Sequence, residues 1–349
     1  MERRTRGRPR ARKLLRLLEG KRNILVTTHV HPDPDALASS MALATLLRNR
    51  LKDAHVGLSI KGRIGGGIND VFTKLSKLDL VSWDDATLNQ YDAIILLDTQ
   101  PQFAANPLPA GVEPIAVIDH HRAPGKKLSC AFCDIRTDVG ATSSIIFSYF
   151  MELETPIPRD LAASLLYAIE SDLAGAAGTP GELDNIALSS LTLIADTRKL
   201  YQMRYVDLPQ SYYTAYFDGL ANAVYHDNAM VSHLDTIDSP EQPAVNADFL
   251  LRFDKVQWAL VTAVYGEKLV MSLRTSNTKN LNAADVMRRL LRNLGEGGGH
   301  RTKAGGFILL ETNSPSEIDR KRNILRKRFL RALGIKQARG QKLVSKPVA

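Results

Sequence analysis

The sequence predicts an α/β fold, with a parallel sheet carrying helices on both faces and a smaller α/β domain after it. Strand-like and helix-like segments alternate through the first part of the chain. The strand segments are short and almost continuously apolar, which is typical of strands buried on both faces of a parallel sheet. The length of 349 residues and the 44% hydrophobic content favour two ordinary cores over a single large one.

The first domain is predicted element by element from this alternation. "NILVTTH" predicts a strand, and "DALASSMALATLLRNRL" predicts a helix because its apolar residues recur three and four positions apart. "HVGLSI", "YDAIILLDT" and "EPIAVIDHH" predict three further strands. The helices expected after them lie around residues 141–152, 159–173, 184–200 and 209–234.

A change in composition marks the end of the first domain. "DTIDSPEQPAV" breaks the pattern with Pro, Ser and acidic residues, which predicts a linker. Beyond it, "QWALVTAVYGEKLVMSLRT" predicts two strands joined at a Gly-containing turn, and "NAADVMRRLLRNLG" predicts a helix ended by glycine. The predicted divisions are a basic N-terminal tail at 1–22, a first domain at 23–235, a linker at 236–245, a second domain at 246–334 and a basic C-terminal tail at 335–349.

The net charge of +9 is unevenly distributed along the chain. Residues 1–22 carry +8 and residues 317–349 carry +9, so the body between them carries −8. Basic ends can attract phosphate backbones, and an acidic body can hold metal ions. The alternative for the ends is a solvated tail and an ordinary amphipathic helix.

Two further features bound the class of protein. No run approaches the length of a membrane span, and the Arg-rich start lacks the apolar core of a secretion signal, which favours a cytoplasmic protein without membrane partners. Cys130 and Cys133 form one C-x-x-C, but no second pair completes a zinc site. We therefore expect structural thiols on a strand rather than redox chemistry.

Acidic and histidine side chains follow the predicted strands. They occur in "THVHPDPD", at the end of "IILLD", in "IAVIDHH" and near the end of the helix "LAASLLYAIESD". The set is His29, Asp33, Asp35, Asp98, Asp119, His120, His121 and Asp172. Such groups are costly to bury unless they are paired or bind cations, and many carboxylates with a few imidazoles favour Mn²⁺ or Mg²⁺ over zinc.

Two members of the first turn have simpler interpretations. Asp35 precedes a helix and alone could be a helix N-cap. His31 repeats the spacing of His29 without adding a carboxylate, so we expect it to be a polar loop residue rather than a ligand.

These motifs resemble those of the DHH phosphoesterases. "HVHPDPD" resembles the opening H-x-x-P-D-x-D motif, "LLDT" the second motif and "IDHH" the triplet that gives the family its name, while Asp172 matches the fourth motif. "SLRTSN" and "GEGGGHRTKAGGF" are similar to the signatures of the DHHA1 substrate-binding domain. The resemblance covers roughly residues 23–311 and is nearer to nanoRNases and pAp phosphatases than to the larger RecJ exonucleases, in keeping with ordinary domain sizes.

The resemblance implies a site in the cleft between a DHH catalytic domain and a DHHA1 domain. It implies two Mn²⁺ ions, with Mg²⁺ as a substitute, one held by His29, Asp33 and Asp98 and the other by Asp35, Asp98, His120 and Asp172. Asp119 is expected to orient a histidine, and His121 to contact the scissile phosphate. The substrate-binding residues expected in the second domain are Arg274, Gly298, Gly299, His300, Arg301 and Lys303.

Two departures from the family pattern leave the substrate open. Pro34 stands where glycine is common, and "KGRIGGGINDVF" at 61–72 differs from nanoRNases. The predicted function is hydrolysis of short oligoribonucleotides or linear dinucleotides, and a homodimer is compatible with it. Alternatives are a pAp-type 3′-phosphatase, a cyclic-dinucleotide phosphodiesterase, a pyrophosphatase, or a nucleic-acid-binding regulatory protein with a vestigial site.

Overall fold

The protein folds into two compact units. The computed structural model describes residues 9–62, 68–123, 128, 130–173, 180–277, 281–299, 301–336 and 339–344. The first unit contains the described residues up to 173 together with 180–206, and the second contains those from 207 onward. Each unit has its own sheet and its own apolar core.

The first unit is built around a five-stranded parallel sheet with the order β2-β1-β3-β4-β5. The strands are β1 (Asn23–Thr28), β2 (His55–Leu58), β3 (Ala93–Leu97), β4 (Ala116–Asp119) and β5 (Phe132–Ile135). The helices are α1 (Arg10–Leu18), α2 (Pro34–Arg50), α3 (Ile68–Ser76), α4 (Thr142–Glu152), α5 (Arg159–Leu173), α6 (Glu182–Ile194) and α7 (Thr197–Arg204). This arrangement confirms the predicted α/β class.

The strand order reverses at β1. From β1 the chain places β2 on one side, and it then places β3, β4 and β5 on the other. Parallel α/β sheets bind ligands outside the carboxyl ends of the strands where the order reverses. The turns that follow β1, β3 and β4 therefore meet at one edge of the sheet.

The basic N-terminal segment is folded in part, which corrects the prediction of a tail over residues 1–22. Residues Arg10–Leu18 form α1, whose Ala11, Leu14 and Leu18 are buried in the core of the first unit. Glu152 at the end of α4 accepts hydrogen bonds from the backbone N–H groups of Ala11 and Arg12, both at 2.9 Å. The apolar positions of "ARKLLRLL" have helical spacing that the charge count obscured.

The second unit contains a mixed seven-stranded sheet with the order β10-β11-β9-β8-β7-β6-β12. Its strands are β6 (Val224–His226), β7 (Ala229–Thr236), β8 (Trp258–Tyr265), β9 (Lys268–Thr275), β10 (Glu296–Gly299), β11 (Lys303–Leu309) and β12 (Gln341–Lys342). Its helices are α8 (Gln210–Ala221), α9 (Gln242–Leu250), α10 (Ala283–Leu291) and α11 (Pro315–Ala332). The predicted β8–β9 hairpin and the helix α10 are present.

Two predicted helices are interrupted, and the segment predicted as a linker is folded. The 184–200 helix is two helices, because Asp196 caps α7 by accepting a hydrogen bond from the Lys199 N–H. The 209–234 helix ends at Ala221, since the following β-branched and aromatic residues form the β6–β7 hairpin. Residues 236–245 belong to the second unit, where Ile237 donates its N–H to Val264.

Helix α11 lies inside the predicted second domain, and the predicted C-terminal tail at 335–349 is folded in part. α11 packs with Leu325 and Phe329 in the second core, and β12, inside the predicted 335–349 tail, pairs with β6. The two cysteines also differ from the prediction of free thiols, because Cys130 and Cys133 are joined by a disulfide. Among the described residues, no helix combines the length and the apolar character needed to cross a membrane.

Candidate metal centre

All six predicted metal ligands converge at the carboxyl edge of the first sheet. His29 follows β1, Asp98 follows β3, and His120 follows Asp119, the last residue of β4. Three groups of side chains each place one ligand atom per residue within 4.8 Å of one another. The groups are Asp98, His120 and His121; His29, Asp33 and Asp98; and Asp35, His120 and Asp172.

Asp98 lies between the histidines of this cluster. Its Oδ2 is 3.6 Å from His29 Nε2, and its Oδ1 is 3.5 Å from His120 Nε2. His120 Nε2 is also 3.5 Å from Asp172 Oδ2. Neighbouring ligands on an octahedral ion with bonds of ~2.1 Å lie about 3 Å apart, so these separations are close to those of ligands that share an ion.

The backbone at Asp98 is unusual and helps to aim the carboxylate. Asp98 has a φ of 55°, in the left-handed region that is uncommon for residues other than glycine. Its N–H donates to the Ile118 carbonyl at 2.9 Å, which ties the turn after β3 to β4. Strained backbone of this kind persists where the surrounding structure enforces it, and it is frequent at functional sites.

Asp35 is buried, and helix α4 holds its carboxylate. The backbone N–H groups of Thr142 and Ser143 donate to the two carboxylate oxygens of Asp35 at 2.7 and 2.9 Å. These amides form the N-terminus of α4, which favours negative charge. Asp33, rather than Asp35, caps α2 by accepting hydrogen bonds from the N–H groups of Asp35 and Ala36.

The hydroxyl of Thr142 reaches a second member of the cluster. Thr142 Oγ1 donates to Asp98 Oδ1 at 2.7 Å, and both residues are buried. The segment "VGATSSII" therefore both starts helix α4 and packs beside the site.

Asp119 contacts the ring of His121. Asp119 Oδ1 lies 2.8 Å from His121 Nδ1, and Asp119 is fully buried. Gln100 Nε2 donates to Asp119 Oδ2 at 2.6 Å and to the His121 carbonyl at 2.9 Å. The sequence reasoning missed Gln100, because its role depends on hydrogen bonds to residues at the end of a different strand.

The electrostatics of the cluster couple acids to imidazoles. Burial raises the pKa of Asp35 well above its usual range, and the carboxylates of Asp98 and Asp172 raise it further. Burial acts in the same direction on Asp98, but the adjacent imidazoles of His29, His121 and His120 hold its pKa well below the usual range. The two buried carboxyl groups therefore differ because Asp98 lies beside imidazoles, whereas Asp35 lies beside other carboxylates.

Two histidines show the reciprocal effect. Burial lowers the pKa of His29, but Asp98 and then Asp33 outweigh it and raise that pKa to about 9. Burial likewise opposes protonation of His121, while the hydrogen bond to Asp119 and the charges of Asp98 and Asp172 raise its pKa to about 10. Both shifts arise from carboxylates that lie next to the imidazoles, and carboxylates with imidazoles form a donor set that suits divalent cations.

His31 lies apart from these groups. Among the described residues it is in none of the three ligand groups, and its ring lies near Gly62, where an added Cβ would be 3.8 Å from His31 Cε1. Its φ of 56° places it in the left-handed region of a turn. Part of the 61–72 loop lies outside the described residues.

The second unit holds most of the predicted substrate-binding residues on and beside the β10–β11 hairpin. Arg274 on β9 donates through Nε to Asp248 Oδ1 and through a guanidinium nitrogen to Ser272 Oγ, both at 2.8 Å. Lys303 pairs in register with Arg274, and Arg301 is exposed in the turn before β11. His300 lies outside the described residues.

The glycines of this hairpin fall into two groups. A Cβ on Gly297 or Gly306 would lie 2.4 or 2.3 Å from Leu291 of α10, so helix packing excludes larger residues at both positions. Gly299 has a φ of 151°, and a Cβ there would collide with the Lys303 carbonyl. Gly298 has open space where a side chain would stand, and its register partner Gly305 has only ordinary contact. Of the two predicted glycines, Gly298 therefore has open space where a side chain would stand, and Gly299 is the more exposed to solvent.

Comparison with known proteins identifies the family. Residues 23–169 match the model of the DHH family, N-terminal domain. The uncharacterized protein MJ1633 of Methanocaldococcus jannaschii is 30% identical over 343 residues, which cover 95% of this chain and 68% of that protein. The chain belongs to the DHH family. Members of this family are metal-dependent phosphoesterases, and we assign the chain to that class of hydrolase.

Two further relatives place limits on the comparison. A probable manganese-dependent inorganic pyrophosphatase of Lactobacillus johnsonii is 31% identical over 177 residues, 49% of this chain and 54% of that protein. The matched part of the present chain therefore spans about half the length of this pyrophosphatase. The exopolyphosphatase-related protein of Bacteroides fragilis has a TM-score of 0.74 at 18% identity and covers 94% of this chain and 98% of its own, which shows a shared fold.

Proposed function

We propose that the protein is a two-metal, Mn²⁺-dependent phosphodiesterase that hydrolyses short oligoribonucleotides or linear dinucleotides. The observation that carries the proposal is the convergence of four carboxylates and three imidazoles into overlapping ligand groups around Asp98. The manganese dependence named for the pyrophosphatase relative supports the choice of ion.

The ligand groups suit two ions that share Asp98. His29, Asp33 and Asp98 would hold one ion. Asp35, His120 and Asp172 would hold the other, with Asp98 as a further ligand because its Oδ1 is 3.5 Å from His120 Nε2. Divalent ions in such a cluster supply an activated water and neutralise charge on a phosphate during in-line displacement. A vestigial site is a poor alternative, since every predicted carboxylate is present and faces the cluster.

The protein's own groups position the reaction. Thr142 and the α4 amides fix Asp98 and Asp35, so these carboxylates need no reorientation when a substrate binds. Gln100 fixes Asp119, and Asp119 fixes the ring of His121. His121, with its raised pKa, would donate a hydrogen bond to a non-bridging oxygen of the scissile phosphate.

Donors of the second unit would bind the non-reacting part of the substrate. Gly298 and Gly305 place no side chain on the face of β10 and β11 that Ser272 and Arg274 share, so a ligand could approach this face closely. Bare backbone and a guanidinium are suitable groups for a second phosphate or a nucleobase edge. A pyrophosphatase would have no use for base-binding groups of this kind.

Inorganic pyrophosphate is the second candidate substrate because the pyrophosphatase relative matches half of the chain. A single experiment separates the candidates. Purified protein with Mn²⁺ is incubated with labelled RNA of two to 24 nucleotides, pAp, cyclic dinucleotides and pyrophosphate. We expect the highest kcat/KM for the dinucleotide, and a preference for pyrophosphate or pAp would overturn the assignment.

A further inference from the structure

One peptide group lies between a buried carboxylate and a histidine of the candidate metal centre. The carbonyl of Val139 and the N–H of Gly140 belong to the same peptide group. The Val139 carbonyl oxygen lies 3.3 Å from Nδ1 of His120, and the Gly140 N–H donates to Oδ2 of Asp184 at 2.7 Å. Because a peptide group is planar and stiff, a contact that holds its N–H also fixes the direction of its carbonyl. Asp184 is therefore linked to His120 through one rigid group.

Asp184 is completely buried in the first turn of helix α6. Its exposed fraction is 0%. Besides the Gly140 N–H, its Oδ2 accepts the N–H of Gly181, which directly precedes α6, at 2.8 Å. The contact with Gly181 is an ordinary capping interaction. The contact with Gly140 is not, because Gly140 lies 44 residues away in the segment that leads into α4.

Helix capping does not by itself account for the burial of this carboxylate. Among the described residues, no partner lies within hydrogen-bonding distance of Oδ1 of Asp184, which is also buried. A buried polar atom without a partner costs free energy. Asp196, which caps α7, stays partly exposed to solvent and so avoids this cost. The full burial of Asp184 is therefore better explained by its second contact, the one with Gly140.

The segment that Asp184 contacts belongs to the support of the metal centre. The hydroxyl of Thr142, two residues after Gly140, donates to Asp98. A Cβ on Gly140 would lie 2.3 Å from Cδ2 of Leu173, so this segment packs directly against the residue that follows Asp172. A shift of the Val139–Gly140 peptide would therefore be transmitted to the site.

We propose that Asp184 is a positioning residue that fixes the ring of His120 through the Val139–Gly140 peptide. A carbonyl that accepts a hydrogen bond from Nδ1 of a histidine orients the ring and leaves Nε2 available to a metal ion. In this structure, Nε2 of His120 is the ring atom that lies 3.5 Å from both Asp98 and Asp172. Asp184 itself is in none of the ligand groups of the described residues.

This inference rests on the proposed two-metal site and predicts which ion Asp184 affects. His120 belongs to the ligand group of Asp35 and Asp172 and is absent from the group of His29 and Asp33. Loss of Asp184 should therefore weaken the first of these two ions and leave the second nearly unchanged.

The test measures Mn²⁺ binding directly, by electron paramagnetic resonance of the free ion, and needs no substrate. We expect wild-type protein to bind two Mn²⁺ ions. In Asp184→Ala, the affinity for one ion should fall by about 10-fold, because groups that orient metal ligands change metal affinity by about 10- to 100-fold. The affinity for the other ion should stay within about twofold of wild type.

Glu317→Ala is the matched control. Glu317 occupies the third position of α11, as Asp184 does in α6, and it is 8% exposed. Its carboxylate accepts the N–H groups of Glu311 and Thr312 at 3.2 and 2.7 Å, and it lies in the second unit, which contributes no residue to the ligand groups. Both alanine variants should unfold at a lower temperature than wild type, but only Asp184→Ala should bind Mn²⁺ more weakly.

Two further substitutions separate the orienting role from helix capping. Asp184→Asn keeps an acceptor oxygen for both N–H groups, so its Mn²⁺ affinities should stay within about threefold of wild type. Asp184→Glu keeps a residue type that is favoured at this capping position, so α6 should still form, but its extra methylene displaces the oxygen that Gly140 contacts. It should weaken the same ion as Asp184→Ala, and it replaces that variant if the alanine protein does not fold.

Three results would overturn the role of Asp184. One is wild-type Mn²⁺ binding in both Asp184→Ala and Asp184→Glu. Another is equal weakening of both ions, which would show that α4 has moved as a whole. The third is Asp184→Asn binding as weakly as Asp184→Ala while unfolding at the wild-type temperature.

The same measurement separates this inference from the proposed function. Wild-type protein that binds two Mn²⁺ ions but hydrolyses no nucleotide would reject the proposed substrate, and selective weakening of one ion in Asp184→Ala would still support the role of Asp184. Wild-type protein that binds no Mn²⁺ would reject both.

Discussion

The two polar regions of the molecule are built in opposite ways. In the first unit, charged side chains are buried at the edge of a parallel sheet and held by hydrogen bonds from Thr142, Gln100 and the α4 amides. In the second unit, Gly298 leaves open space on the sheet, Arg274 is half-buried and paired with Asp248, and aromatic rings lie at the surface. A reacting centre requires fixed geometry, whereas a surface that accepts different bases requires accessible groups.

The largest expected effect comes from removing the shared carboxylate. Asp98→Asn keeps the shape of the side chain and tolerates the positive φ, so the fold should survive. We expect hydrolysis to fall by about 100-fold or more in saturating Mn²⁺, because one neutral ligand cannot serve two ions. Steady-state kinetics with Mn²⁺ content checks this.

His31→Ala is the matched control, because His31 is in the same turn as the ligands and outside their groups. It should lose less than about threefold of the wild-type rate. A rate above one tenth of wild type in Asp98→Asn, or equal losses in both variants, would contradict the ligand assignment.

The second prediction concerns the support of the buried centre. Thr142→Val is close in shape but removes the hydroxyl that donates to Asp98. Groups that orient metal ligands change metal affinity or activity by about 10- to 100-fold, so we expect a loss at the lower end of this range. Titration of activity against Mn²⁺ measures it. Thr142→Ser should recover most of the loss, and failure of serine to do so would assign the effect to packing.

The third prediction moves to the surface region. Arg274→Ala should raise KM for a dinucleotide by about 10-fold, because it removes a charge-assisted donor, and Mn²⁺ content should not change. Arg274→Lys should recover only part of the loss, since an ammonium cannot reproduce two directed N–H groups. Loss of Mn²⁺ from either variant would show that the two regions are not separable as described.

The fourth prediction concerns the basic N-terminal helix. Arg12, Lys13 and Arg16 are exposed on α1, so replacing them with glutamine leaves the buried face intact, unlike deletion of residues 1–22. If each of these three side chains contacts a phosphate of a 24-nucleotide RNA, the magnitude of the slope of log affinity against log salt should fall by about 2 in the triple variant. The rate of dinucleotide hydrolysis should change little. Superimposable binding curves at two salt concentrations would make α1 a solely structural helix.

The smallest expected effect is a pH dependence of the second unit. Burial, with Arg322 and Arg326, lowers the pKa of His233 to about 3. The unfolded chain takes up this proton near pH 6.5, so the unfolded state binds more protons between pH 6.5 and 3 and stability falls as the pH falls. The upper bound is about 1.4 kcal/mol per pH unit.

Thermal unfolding at pH 7 and pH 5 checks this prediction. His233→Gln should unfold at more similar temperatures at the two pH values than wild type. His55→Gln, at an exposed position of the first unit, is the control. An unchanged pH dependence in His233→Gln would show that other groups carry it.

Sequence patterns predicted the buried centre better than its surroundings. Apolar strands that end in Asp98 and Asp119 must deliver those residues to one edge of a parallel sheet, so local sequence alone brings the ligands together. Gln100 and Thr142 were harder to assign, because their roles depend on hydrogen bonds across β4 and α4 that no local pattern encodes.

The remaining differences have the same origin in tertiary packing. Helix α1 was not predicted, because its many basic residues drew attention away from the helical spacing of its apolar residues. Leu14 and Leu18 are buried in the core. The contact between the rings of Tyr216 and Phe249 was not predicted, because these residues come together only when α8 packs against α9. Gly297 faces Leu291 of α10, whereas Gly298 faces open space. Two neighbouring glycines look the same in the sequence, so this difference could not be predicted from it.

The most direct test of the account is anomalous diffraction at the manganese edge from crystals grown with Mn²⁺. We expect two peaks in the first unit, both adjacent to Asp98, one beside His29 and Asp33 and the other beside Asp35, His120 and Asp172. A single peak, or two peaks that do not share Asp98, would contradict the two-metal assignment.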